Sequence, residues 1–216
     1  MPVPAHLRDP AAIYALSFRT IREEGAPALA RLAPDAQDLA IRIAHACGMV
    51  DAIDDLVVSP GAVAAGRAAL QRGAPILVDA EMVAHGVIRA RLPAGNRVVC
   101  RLNDSGVSEH ARQVATTRSA AQVDLWDADL DGAVVAIGNA PTALFRLLER
   151  LDEGAPHPAV ILGFPVGFVG AAESKAELAA NPRGLPFATL TGRRGGSAVA
   201  AAAVNALAAG LEGAPA

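Results

Sequence analysis

The chain has 216 residues, 52% of them apolar, 19% charged and 3% aromatic, with a net charge of -3. That is ample for a core and argues against disorder, and with so few aromatics the core must be built from Ala, Val, Leu and Ile. The mildly acidic balance, with a pI near 5.9, leaves no electrostatic footprint for nucleic acid and no basic arm for a membrane surface.

The N-terminal MPVPAHLRDP has neither a charged n-region nor an apolar h-region, so no secretory signal is expected. Asp9-Pro10 opens a helix through Ile13, Ser17 and Ile21, with the Asp as cap and the Pro in the first turn. Pro34 opens a second helix that ends at Gly48, a left-handed stop, and Ser59-Pro60 a third closed by Gly73. Strands are expected at Leu56–Val58, Ile76–Asp79, Val98–Leu102, Ala133–Ile137, Ala159–Leu162 and Pro186–Leu190. Most are unbroken runs of four or five apolar residues, the pattern of strands buried on both faces. Helical stretches separate nearly all of them, and an Ala-rich helix from Gly196 to Gly210 closes the chain. This order predicts one α/β domain over residues 1–216, a doubly wound and mainly parallel sheet with helices on both faces. The longest apolar run, Ser197 to Leu211, is Ala-dominated, interrupted by Asn205 and too short to span a bilayer. A soluble, cytoplasmic protein is expected. Cys47 and Cys100 stand far apart and fit no zinc or redox spacing, which agrees with a reduced compartment.

In such a sheet ligands bind beyond the carboxyl ends of the strands, so the loops there are the candidates. In VDAEMVAHG, Asp79, Glu81 and His85 fall within seven residues. That is thin for a metal site; capping and ion pairing with some substrate contact is the expected role, and no metal is expected. In AIGNAPTALF, Gly138, Asn139 as cap and Pro141 form a compact strand-to-helix turn. Its free N–H groups would bind an anion, or the turn is simply an ordinary capped one. In ILGFPVGFVGAAESK, the glycines at 163, 167 and 170 fit neither a dinucleotide fingerprint nor a P-loop, yet they let backbone approach a ligand closely. A further glycine-rich turn, TGRRGGS, places Arg193 and Arg194 before the last helix. Arg118, in TTRSAA, is a plausible anion grip or a surface ion pair. Of the 19 basic residues only Lys175 is a lysine. A GC-rich genome would produce that bias, and so would guanidiniums selected to grip carboxylates in pairs.

His45, in IRIAHACGM, is one of five histidines. On a helical wheel Ala36, Leu39, Ala40, Ile43 and Cys47 share one side, and Asp38, Arg42 and His45 form a polar stripe opposite. His45 is therefore read as a solvated imidazole or as an acid at a functional surface. Its place in the last helical turn favours the charged form by roughly 0.3–1 kcal/mol. Arg42 opposes that shift, and a ligand bearing carboxylates would add to it.

Four segments together, IRIAHACGM, ILVDAEMVAHGVIRARLPAGN, AIGNAPTALF and ILGFPVGFVGAAESK, resemble the precorrin-8X methylmutase family of cobalamin biosynthesis. The likeness runs from AIYALSFRTIREE at Ala12 to GGSAVAAAAVNALA at Gly195. It implies a cofactor-free isomerase that moves a methyl group from C-11 to C-12 of precorrin-8X to give hydrogenobyrinate, with His45 as the proton donor. It also implies a homodimer with interfacial sites, and hand-over to neighbouring pathway enzymes is a further expectation. For the tetrapyrrole the candidate contacts are Arg118 and the helix-start amides near Asn139 as carboxylate grips, Ser17 as a hydroxyl contact, His85 as a further substrate contact, and Gly167 and Gly170 where backbone approaches closely. Ile88 stands where relatives tend to carry Thr. The alternatives are a cobalt-precorrin-8 methylmutase, another enzyme class on the same fold, or a non-catalytic corrinoid carrier.

Overall fold

The computed structural model describes residues 8–209. Its elements run α1 (Pro10–Glu24), α2 (Ala26–Leu29), α3 (Pro34–Cys47), β1 (Leu56–Val58), α4 (Ala62–Gln71), β2 (Ile76–Val78), α5 (Glu81–Gly86), β3 (Val98–Val99) and α6 (Val107–Gln113). They continue with α7 (Arg118–Ala121), α8 (Asp127–Leu130), β4 (Val134–Ile137), α9 (Pro141–Asp152), β5 (Val160–Gly163), α10 (Ala171–Ala180), β6 (Phe187–Leu190) and α11 (Ser197–Ala209). All six expected strands form, in one sheet ordered β1-β6-β5-β4-β2-β3. The pairings are parallel except at the β1 edge, where Leu56 faces Leu190 antiparallel.

Alternation along the strands sends the side chains to two separate cores. Val78, Val134, Ala136, Val160, Leu162 and Ala188 join α3, α4, α5 and α11 on one face. Leu77, Val135, Ile137, Ile161 and Phe187 join α9, Trp126 and Leu178 on the other. Both faces are covered, which is why β4 and β5 are buried along their whole length and read as unbroken apolar runs.

β4 and β6 start one residue later than expected and β5 is shifted by one; three further boundaries differ for a visible reason, and the Gly210 end expected for the last helix lies outside the described residues. β3 stops at Val99, three residues short, because the Arg101 amide turns to donate to Gln122 Oε1 at 3.1 Å instead of to the sheet. β2 stops at Val78, freeing Asp79 for a different task. The 62–71 helix starts after Gly61, in the left-handed region at φ 77°, because the Ser59 hydroxyl is committed to β6, accepting from Phe187 N at 2.8 Å. Asp9 does cap α1 and Gly48 does stop α3, at φ 69°.

α11 is the centre of the first face. Residues 199–207 are all buried, so it is apolar all round rather than amphipathic. Glycines let the surrounding chain close on it: a Cβ on Gly138 would meet Ala200 Cβ at 2.7 Å, and one on Gly86 would meet Ala201 Cβ at 2.6 Å. The polar interruption, Asn205, bonds through both its amide oxygen and its nitrogen. Its Oδ1 accepts from Ile88 N at 2.9 Å and its Nδ2 donates to Gly86 O at 3.0 Å, pinning the 86–88 turn to the helix.

Candidate active site

The polar stripe of α3 is not a solvated face. α1 lies over it: Asp38 pairs with Arg22, and His45 meets Tyr14, Ser17 and Phe18, which recur at helical spacing on one face of α1. Arg42, between them, is only 6% exposed, with its guanidinium 5.6 Å from the Phe18 ring centroid. The imidazole of His45 is half-buried, its Nδ1 2.8 Å from the Ser17 hydroxyl and its ring 5.2 Å from Phe18 and 5.4 Å from Tyr14. This corrects the expectation of a surface imidazole, and it reverses the expected titration as well. Burial, followed by the charge of Arg42, pushes the His45 pKa below its usual 6.5 and so favours the neutral ring in the free site.

A cleft of about 230 Å³ opens beside the imidazole. Tyr14, Arg42 and His45 form one wall, Gly86 and Ile88 another, and Ala198, Ala201, Ala202 and Asn205 of α11 the floor. Small-molecule pockets hold roughly 300–1,000 Å³, so this cleft is smaller than most and would take only part of a large ligand. Tyr14, Arg42 and Asn205 were not singled out as site residues by sequence. The signals were present: the Tyr14, Ser17, Phe18 spacing, and one amide in an alanine helix.

The strand order reverses between β2 and β4, making the crevice at their carboxyl ends the usual ligand position of such a sheet. Here Asp79 fills it. Its carboxylate accepts from Gly138 N at 2.8 Å, Asn139 N at 2.9 Å and Ala140 N at 2.7 Å. Burial pushes this carboxyl upward and the three amides pull it back, since only the carboxylate can use all three donors. The helix-start amides near Asn139 are therefore not free to bind a substrate anion. Nor is Asn139 the cap: Ala140 holds that position, and the capping oxygens come from sixty residues upstream.

The remaining residues singled out by sequence fall into a second group along the carboxyl edge. Asn139 is exposed there. Gly170, at φ 80°, begins α10 so close to α9 that a Cβ would meet Pro141 Cβ at 3.2 Å, and Gly167 lies at φ 145° in open space. Arg118 starts α7, exposed and in no ion pair among the described residues; its neighbour Thr117 is tied to Thr142 at 2.8 Å. α7 packs on α9, so Arg118 and His45 belong to opposite faces of the sheet. His85 is exposed on α5, with Nδ1 2.8 Å from Glu81 O; a carbonyl only accepts, so Nδ1 carries the proton and Nε2 is left for a ligand. It is not part of the cleft. Cys100 is no nucleophile at neutral pH, since burial pushes its thiol up to about 11.

The fold is a doubly wound α/β sheet, and its cleft sets a half-buried imidazole, bonded to the Ser17 hydroxyl, beside a buried guanidinium, an arrangement able to exchange a proton with a small molecule. Comparison with known proteins is more specific. The family model described as CbiC, precorrin-8X methylmutase, matches residues 12–209, and the chain belongs to that family. A precorrin-8X methylmutase of Pseudomonas aeruginosa is 63% identical over 203 residues, 94% of this chain and 97% of that protein. One of Sinorhizobium is 59% identical over 208 residues, 96% and 98% of the two chains. A cobalt-precorrin-8 methylmutase of Priestia megaterium is 36% identical over 200 residues, covering 92% and 87%. The crystal structure of precorrin-8x methyl mutase from Thermus thermophilus superposes with a TM-score of 0.82 at 42% identity, covering 91% of this chain and 93% of that one. Membership makes this a methylmutase, an isomerase of cobalamin biosynthesis.

Proposed function

We propose that the chain moves a methyl group from C-11 to C-12 of precorrin-8X, giving hydrogenobyrinate, with His45 as general acid and without a cofactor. The observation that carries this is the His45 imidazole, held at 2.8 Å by Ser17 and presented to a cleft. A proton lent to the conjugated ring system weakens the bond to the migrating methyl, and a positioned acid contributes typically ~10²–10⁴-fold. Substrate and product are isomers, so the proton that His45 lends is matched by one returned before the next turnover. Burial and Arg42 favour the neutral ring in the free site, and carboxylates brought beside it raise its pKa toward the charged form that an acid uses.

The cleft is too small for a whole macrocycle, and Arg118 lies across the sheet from His45. Both facts support a homodimer in which a second copy completes the site. Relatives at 59–63% identity bear the cobalt-free name and one bearing the cobalt name stands at 36%, which supports the cobalt-free substrate. A cytoplasmic location is proposed with it, and hand-over of product to neighbouring pathway enzymes; no helix among the described residues is long and apolar enough to cross a membrane.

The test is the visible spectrum of precorrin-8X incubated with purified protein. The wild type is expected to convert it to hydrogenobyrinate, and H45A to bind product without converting substrate. Conversion by H45A at the wild-type rate would remove His45 from the reaction, and binding without any turnover by the wild type would make the protein a carrier.

A further inference from the structure

Arg91 ends a short 3-10 turn, Arg89–Arg91, that follows directly in the chain on Gly86 and Ile88 of the cleft wall and lies behind it rather than lining it. Two things fix its place: its amide donates to Ile88 O at 3.0 Å, and Asn205 holds the other end of the same turn to α11. Its Nε, Nη1 and Nη2 are all shut off from solvent, and none has a hydrogen-bond partner. No acidic side chain among the described residues pairs with it. Moreover, Arg91 stands close enough to Arg42 for its charge to lower the pKa of that buried guanidinium. Arg42 has the face of Phe18 and the charge of Asp38 as compensation. Arg91 has neither. A desolvated cation without an acceptor, beside a second cation, opposes folding and gains strongly from any anion that reaches it. Asp79 already occupies the helix-start amides, so the anion grip of this protein must lie elsewhere.

We propose that Arg91, backed by Arg42, is a carboxylate-binding subsite of the His45 cleft that takes one acetate or propionate arm of the tetrapyrrole. This rests on the function proposed above and names how its substrate is held. A guanidinium fork matches a carboxylate with two parallel bonds, which an ammonium cannot do. The bound arm would neutralise the Arg91–Arg42 repulsion and bring negative charge toward the imidazole that must be charged.

The experiment compares wild type, R91M and R91K. Dissociation constants are measured by absorbance titration for hydrogenobyrinate and for hydrogenobyrinate with its carboxylates converted to primary amides, alongside thermal unfolding of the free proteins. R91M is expected to bind the acid roughly 10- to 100-fold more weakly, to bind the amide as the wild type does, and to unfold at an equal or higher temperature. R91K should fall between the two for the acid. Equal loss for acid and amide, unchanged affinity for the acid, or a lowered unfolding temperature with affinity intact would each overturn the subsite and leave the methylmutase reading standing. Failure of the wild type to bind hydrogenobyrinate would instead remove that reading, and the subsite with it.

Discussion

The hydroxyl of Ser17 lies 2.8 Å from Nδ1 of His45, joining two helices across 28 residues of sequence. Either atom can donate, and the bond fixes which way the ring faces the cleft. Ser17→Ala leaves the imidazole held only by Tyr14 and Phe18. Turnover of precorrin-8X should fall about tenfold, ~1.4 kcal/mol in the barrier, with product affinity little changed. Single-turnover spectra of the variant check this, and an unchanged rate would show that the hydroxyl does not orient the acid.

The pH dependence of binding follows from the same ring. Burial and Arg42 hold the free His45 pKa below 6.5. A carboxylate-bearing ligand raises it, so binding takes up a proton, and affinity for hydrogenobyrinate should weaken as pH rises through the bound-state pKa. Without ligand, the lowered pKa costs the fold stability as pH drops below 6.5, because the unfolded imidazole then takes the proton more readily. Titration of His45 by NMR in the free and product-bound protein measures both; a ring that titrates no higher when bound would contradict the scheme.

Asp79→Asn replaces a carboxylate that accepts three backbone amides with a group that has one acceptor oxygen and presents its NH2 to the other donors. Unfolding in urea should reveal a loss of roughly 2–4 kcal/mol, at unchanged dependence on denaturant. A loss well under 1 kcal/mol would mean that the crevice does not depend on this carboxylate.

Lys175 is 1% exposed and donates its Nζ to Arg194 O, fastening the turn before α11. Burial lowers its pKa from 10.5 to about 8, with Asp55 opposing. Between those values the unfolded chain binds more protons than the folded one, so stability from this group rises with pH, by up to ~1.4 kcal/mol per unit, and is lowest below pH 8. Unfolding at pH 7.5 and 9.5 should show the rise, and Lys175→Met should flatten it.

The sequence by itself determined the class of fold and all six strands, and it drew attention to His45. These are local properties: unbroken apolar runs mark doubly buried strands, Pro and Gly punctuate the helices, and a lone imidazole near a helix end is visible on the wheel. Where sequence reasoning failed, the deciding contact was long-range. The wheel placed Asp38, Arg42 and His45 on one stripe correctly, but whether water or another helix faces that stripe depends on where α1 packs. The turn at Asn139 looked like a vacant anion site because its occupant, Asp79, comes from another strand. That Arg118 and His45 sit on opposite faces of the sheet within one chain is likewise a matter of packing that no local pattern carries. Tertiary structure alone decided which charges are desolvated, which is what pushes His45 toward its neutral form and buries the Arg91 guanidinium without a partner.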